Sequence, residues 1–185
     1  MNGKQRMAEQ SRLWLWEALV RLLQQQSYQD ITISAIANEA QLARRTFYRS
    51  FKSKDDLVDY YCRSAINRYL KKLKAIDTTD ASFEIVLKTF FDFWWSEKAI
   101  LRLLIKNNLF NRLLTTWTPQ LSKIYARFQV PWHIHGSSTE ISYIMTFSTG
   151  GFWNVLNHWL IKEHPERPEE VTQTLLKALN KLSQI

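Results

Sequence analysis

Between Gly3 and Pro119 the chain contains neither glycine nor proline. A β-rich fold needs turn-forming residues at short intervals, whereas helices can be joined by brief polar links without them. Only four glycines and four prolines occur in the whole 185 residues, so the remainder is hardly more punctuated. The fold class read from this is all-α. The single cysteine, Cys62, excludes an intramolecular disulfide and any multi-cysteine metal site. No apolar run approaches the roughly 18 residues of a membrane span. The first residues flank a short apolar segment with charges and lack a small-residue cleavage site. A cytoplasmic protein with no membrane partner is the expectation.

Apolar periodicity places the elements. Leu15, Leu19, Leu22 and Leu23 share one face of a first helix from about Gln5 to Gln26. Thr32 is suited to cap a short helix, Ile33 to Ala40, and after Gln41-Leu42-Ala43 a second short helix runs from Arg44 to Ser50. Ser53 and Asp56 have capping-box spacing at the start of a longer helix bearing Leu57, Tyr60, Tyr61, Ala65 and Tyr69. The polar stretch from Ala75 to Asp80 is the expected boundary between two units. Beyond it, helices are expected from Phe83, from Lys98 to Asn107 and from Leu109 to Phe128, the last kinked or restarted at Thr118-Pro119. Pro131 to Ser138 reads as a loop. Ser137 and Glu140 repeat the capping-box spacing before a long helix to about Lys162, and Pro168 opens the last one.

Charge divides the chain at the same place. Residues 1–75 carry 14 Lys and Arg against 7 Asp and Glu, a balance of +7, while residues 76–185 carry 11 against 10, a balance of +1. Such asymmetry suits a unit that meets a polyanion, either nucleic acid or an acidic membrane surface, with a merely solvated basic face as the alternative. The two short helices narrow this. Counted from Ile33, apolar Ile36, Ala40, Leu42 and Phe47 occupy positions four, eight, ten and fifteen, and small Ala37 occupies position five. A helix-turn-helix needs its buried contacts at these places, with the second helix free to enter a DNA major groove. That helix opens with Arg44-Arg45, and arginine can bond guanine O6 and N7 with two parallel N–H groups. Tyr48 and Arg49 follow on it, and Lys52 and Lys54 stand where phosphates would lie.

At this point the sequence resembles the TetR family of bacterial transcription regulators. The run is Thr32-Ile33-x-x-Ile36-Ala37-x-x-Ala40-x-Leu42-x-x-x-Thr46-Phe47-Tyr48-x-x-Phe51-x-x-Lys54-x-x-Leu57. As a combination it is far more specific than a generic helix-turn-helix, and it covers about a quarter of the chain. Three positions depart from the family pattern: Ser27 and Gln41 stand where glycine is usual, and Ser50 where histidine is common. The resemblance implies a homodimer using paired recognition helices on a palindromic operator in double-stranded DNA. It places DNA contacts at Thr32, Arg44, Arg45, Tyr48 and Lys54, and side-chain chemistry adds Arg49. Arg44 and Arg45 are the expected base readers, Tyr48 and Lys54 the backbone contacts. It further implies a domain at 1–52, with a connecting helix to about 75, and a C-terminal helical dimerisation and ligand domain at 76–185. Repressors dominate the family. Activators also occur in it, and around Gly150-Gly151 the chain resembles coactivators of dihydroxyacetone metabolism.

The C-terminal half adds its own signals. Gly150-Gly151 inside a long helix would cost about 1 kcal/mol each relative to alanine, understandable if another helix approaches closely or the helix bends there. Gly150, Gly151, Phe152, Val155 and Trp159, with Leu175 and Leu179 from the last helix, are the expected dimer interface; packing within one subunit is the alternative. Six of the eight tryptophans lie beyond residue 75. Phe90, Trp94, Trp117, Phe128, Trp132 and Phe147 are candidates to line an apolar cavity for a small-molecule effector, against the alternative that they fill plain core. His133 and His135 lack a third ligand at metal spacing, so no metal site and no cofactor are expected. No phosphate loop, nucleophile elbow or metal motif supports an enzyme. A rival reading is a protein-interaction or membrane-surface module using the basic first helix and Trp14-Leu15-Trp16. That reading leaves the helix-turn-helix spacing without a role.

Overall fold

The computed structural model describes residues 3–76, 81–120 and 136–182. Among these residues are nine α-helices, one 3-10 turn and no strand. The helices are α1 (Gly3–Gln25), α2 (Ile33–Glu39), α3 (Arg44–Ser50), α4 (Lys54–Lys74) and α5 (Phe83–Ser96). They continue with α6 (Lys98–Lys106), α7 (Asn111–Trp117), α8 (Ser138–Leu160) and α9 (Pro168–Leu182). The fold is all-α, as the missing turn residues demanded. Thr118-Pro119 ends α7 in a single 3-10 turn. The rest of the helix expected to reach Phe128, and most of the loop after Pro131, lie outside the described residues, as does most of the 75–80 boundary.

At four helices, α2, α4, α5 and α8, a Ser or Thr side chain satisfies one of the first free N–H groups, which have no partner inside the helix itself. Thr32 caps α2 by accepting from the Ala35 N–H at 3.1 Å. Ser53 caps α4 through Asp56 N–H, while the Asp56 carboxylate reaches back to Lys52 N–H rather than to Ser53. Ser137 and Glu140 form the complete reciprocal box at the start of α8. At the other ends, α2 and α6 close with one motif. The N–H of Leu42 bonds the Ala37 carbonyl and that of Gln41 the Asn38 carbonyl; Leu109 with Leu104 and Asn108 with Ile105 repeat the pattern. This arrangement requires a left-handed residue, here Gln41 at φ 55° and Asn108 at φ 58°. Gln41 therefore adopts the conformation for which glycine is usual. Ser27 does not; its hydroxyl simply bonds Asp30.

One core runs through both halves, and α4 carries it. Its first turns bury Leu57, Val58 and Tyr61, with the Tyr61 ring stacked on Trp16 of α1 at 4.4 Å. Farther along, Tyr69 meets Phe90, Phe93 and Trp94 of α5 and Trp117 of α7 at ring distances of 5.4 to 5.8 Å. In α8 the inner stripe is Thr149, Trp153, Leu156, Trp159 and Leu160. Trp159, expected at a dimer interface, is instead enclosed within its own subunit. It stacks on Trp95 at 5.1 Å, meets Phe91 edge-on at 5.4 Å, and donates its indole N–H to the Glu166 carbonyl. Phe147, expected to line an interior cavity, is 72% exposed. At about 100° per residue these two positions lie about 120° apart around the helix, so they cannot share a face.

Gln41 in the left-handed region carries strain on the order of 1 to 2 kcal/mol. Gln41→Gly relieves it while adding freedom to the unfolded chain. The expected net result is a stabilisation of about 0.5 to 1 kcal/mol, read as a higher urea midpoint at unchanged slope; a lower midpoint would contradict the strained turn.

Candidate nucleic-acid interface

Burial of Ile36, Ala37 and Phe47 locks α2 and α3 into a compact pair against α1, with Ala40 and Leu42 packed at the edge of that core. Thr46 of α3 faces inward with Phe47. Arg44, Arg45, Tyr48 and Arg49 are consequently exposed, and Ser50 at the end of α3 is half-buried. Tyr48 is half open to solvent. Arg44 donates to the Tyr48 hydroxyl at 3.1 Å and lies 5.5 Å from its ring centre, one helical turn away. Thr32 is exposed at the start of α2, its hydroxyl oxygen already accepting the capping bond.

The acids nearby are paired elsewhere. Glu39 bonds Arg21 at 2.5 Å, Asp56 pairs with Arg63, and Asp55 and Asp59 both flank Arg112. Among the described residues no carboxylate forms a salt bridge with Arg44, Arg45 or Arg49, so the exposed face of α3 presents three guanidinium groups without counter-charge. Such a face suits a polyanion.

Lys54 departs from its expected place at a phosphate. Its ammonium donates to the carbonyls of Tyr28 at 2.6 Å, Gln29 at 3.1 Å and Ile31 at 2.9 Å, and sits 4.4 Å from the Tyr28 ring centre. All three N–H donors of an ammonium are thereby engaged. Lys54 pins the loop before α2 against the start of α4.

The aromatic residues proposed to line a cavity also take other places. Trp94 is fully buried, with Trp153 at 5.0 Å and Phe93 at 4.8 Å, and Phe90 and Trp117 belong to the same packed cluster. Phe128 and Trp132, like His133 and His135, lie outside the described residues. A hollow of about 560 Å³ lies between α1 and the α2–α3 turn, bounded by Trp14, Arg21, Glu39 and Leu42. Another, of about 310 Å³, lies beside Arg102 and Ile161. Neither touches the aromatic cluster. Inside that cluster the Trp94 indole N–H is buried without a hydrogen-bond partner among the described residues, an uncommon state for a polar group. Cys62 is fully buried, and burial pushes its thiol up to about 12, so it holds no thiolate near neutral pH.

The profile for "Bacterial regulatory proteins, tetR family" matches residues 15–61 and that for "Transcriptional regulator C-terminal region" matches residues 81–181. The chain belongs to the TetR family of transcription regulators. Solved structures extend the likeness over nearly the full length. Lin0861 from Listeria innocua superposes with a TM-score of 0.80 at 12% identity, covering 98% of this chain and 95% of that one. A TetR transcriptional regulator from Streptococcus agalactiae gives 0.62 at 20%, covering 95% and 96%. The dihydroxyacetone kinase operon activator DhaS gives 0.59 at 19%, also covering 95% and 96%. At these identities the structural likeness speaks for the fold. No curated protein sequence matches the chain. Among the described residues of this TetR-family chain, no helix is long and apolar enough to cross a membrane.

Two features of the reading head had no signal in the sequence. Lys54 and the carbonyls it binds are 23 to 26 residues apart, and Tyr28 N–H donates to the Asn107 side chain 79 residues away. The Arg44–Tyr48 pair, in contrast, follows from i, i+4 spacing on one helix face. Lys54→Met removes three charge-assisted bonds from the loop before α2. The expected loss is about 2 kcal/mol, seen as a lower melting temperature of the whole chain. An unchanged melting temperature would return Lys54 to the solvent-facing role that its sequence position suggests.

Proposed function

We propose that this TetR-family regulator acts as a homodimer that places α3 of each subunit in the major groove of a palindromic operator and represses transcription by excluding polymerase. The observation that carries this reading is the uncompensated guanidinium face of α3, held outward by a buried Ile36–Ala37–Phe47 base. Arg44 and Arg45 are the base-reading groups. Tyr48 and Arg49, with Thr32 at the start of α2, bind the phosphate backbone and set register. Lys54 acts indirectly, through the loop that leads into Thr32. The units are a reading head at 1–52, a connecting helix to about 75, and a helical dimerisation domain at 76–185. The work of the chain is binding rather than catalysis, and its place is the cytoplasm, where the operator is.

Dimerisation is supported by the outer face of α8. Tyr143 and Phe147 are 73% and 72% exposed, and they continue along the helix into Gly150 and Gly151. A Cβ added at either glycine would meet nothing within 4 Å among the described residues. Glycine at both positions leaves room for close approach by the helix of another chain. Large apolar groups in such a row mark interaction surfaces. Of the other residues expected at the interface, Phe152, Val155, Leu175 and Leu179 are half-buried, Phe152 packing on Phe83 and Phe90, while Leu182 on α9 is exposed. Trp159 has no part in it. For a small-molecule effector the one supporting observation is the buried Trp94 N–H without a partner among the described residues; a ligand taking that bond must part the packed rings around it, since neither hollow reaches them.

Selection from a random pool of duplex DNA at moderate salt tests the central claim. The protein is expected to enrich a palindrome, and Arg44→Ala/Arg45→Ala to lose or relax it at its most constrained base pairs by about 1 to 3 kcal/mol per contact. Weak binding that only fades with salt, with no enriched sequence, would instead leave a general electrostatic surface. A reporter under the enriched operator reads the sign: repression lowers its output, and activation of the kind named for DhaS raises it. For the dimer, Phe147→Asp is expected to shift gel-filtration mass to that of a monomer, whereas Tyr48→Phe leaves it unchanged. A variant that stays dimeric would remove the α8 face from the interface.

A further inference from the structure

Asn107 and Arg112 lie on either side of the turn between α6 and α7; Asn107 reaches the loop before α2, and Arg112 reaches the start of α4, to which that loop is tied through the Tyr28–Asp55 and Lys54 bonds. The Asn107 side-chain oxygen accepts the Tyr28 N–H at 2.9 Å, while its amide nitrogen donates back to the Leu103 carbonyl at 2.9 Å. The side chain is thus fixed from both ends. Arg112 extends one nitrogen to Asp55 at 2.7 Å and the other to Asp59 at 2.6 Å, so that its guanidinium spans two successive turns at the start of α4. The Tyr28 hydroxyl donates to the same Asp55. Burial, and then the neighbouring carboxylate, hold that hydroxyl well above its ordinary titration range, so it remains a donor.

These ties converge on one short loop. Lys54 clasps the carbonyls of Tyr28, Gln29 and Ile31 from the α4 side, and Ile31, buried, leads directly to Thr32. The turn itself is stiff: Asn108 holds a left-handed conformation within the closing motif of α6, and Leu109 and Phe110 are buried beneath it. A single exposed ion pair contributes little. Here one guanidinium, partly buried, is shared by two carboxylates, with a tyrosine hydroxyl completing the network and an amide bond beside it, and groups joined in this way do not act independently.

We infer that Asn107 and Arg112 are positioning residues for DNA binding: they latch the reading head to the α6–α7 turn and fix the angle at which α3 is presented. Neither side chain stands on the recognition face. In a dimer, the angle of each head sets the separation of the two recognition helices. The latch therefore governs which half-site spacing the protein accepts. The spacing consequence rests on the dimeric reading proposed above; the latch itself does not.

Two measurements separate these claims. Spin labels on cysteines introduced at Asn38 and Asp92, with labelled chain diluted into unlabelled chain, report the orientation of head to body without DNA; native Cys62 is buried and stays unlabelled. In Asn107→Ala/Arg112→Gln the distance distribution is expected to broaden, with helical content and oligomeric state unchanged. Arg112→Lys, which keeps the charge but loses the two-pronged geometry, is expected to fall between it and the parent. If the double variant does not fold, Arg112→Lys alone carries the comparison. Titrations against the selected operator, and against versions with half-sites moved by one base pair, are expected to show cognate affinity reduced about fivefold or more and a smaller penalty for the moved sites. A distribution identical to that of the parent overturns the latch. Broadening with an equal loss at every spacing overturns its role in spacing. Failure of the parent to select any palindrome defeats the proposed function, while the label distances still decide the latch.

Discussion

The ammonium of Lys54 inside the curl of residues 28–31 is the contact on which the rest of the reading head depends. Three backbone carbonyls converge on one cation, and each would otherwise need water. Because Lys54 is also the first residue of α4, the loop before α2 is joined directly to the helix that runs through both halves of the molecule. Thr32 follows the curl immediately, and its cap on Ala35 sets where α2 begins. The helix-turn-helix is therefore aimed by a polar joint at its entry and by apolar packing beneath it.

Division of labour among the charges follows from this arrangement. The carboxylates of Glu39, Asp55, Asp56 and Asp59 are engaged by Arg21, Arg63 and Arg112, whereas the arginines of α3 stand exposed with no carboxylate paired to them among the described residues. A basic surface needs more than an excess of lysine and arginine. Its acids must be neutralised at positions from which they cannot screen the basic side chains. The aromatic residues are sorted in a similar way. Those on α5 and the inner stripe of α8 interlock at ring distances typical of edge and tilted contacts, such as Phe90–Trp153 at 5.9 Å, and they knit α5, α7 and α8 around Tyr69. Tyr143 and Phe147 are left outside, next to two glycines that present no side chain at all.

Much was legible in the sequence because it depends on neighbours along the chain. The absence of glycine and proline, the caps at Thr32, Ser53 and Ser137, the left-handed residue at Gln41 and the exposed Arg44-Arg45 are all local consequences of residue type and helical spacing. What failed shares a different character. Trp159 turns inward and Phe147 outward, opposite to the sequence expectation, because composition names which residues are apolar but not which of two apolar faces turns inward. In a helix as aromatic as α8 both faces qualify, and only the shape of α5 and its tryptophan pair selects one.

An all-helical chain with a helix-turn-helix near its start is written in residue type and spacing, because helix formation, capping and turn geometry act within a few residues of one another. The use of Lys54, the inward face of α8, and the meeting of Asn107 with the loop before α2 and of Arg112 with α4 arise only on folding. Each of those is a bond between groups that are distant along the chain, separated by 79 residues in the case of Tyr28 and Asn107. A lysine or an arginine reads alike in sequence whether its partner is a phosphate or the chain's own carbonyls and carboxylates. The choice rests on which acceptor the folded chain brings within hydrogen-bonding reach.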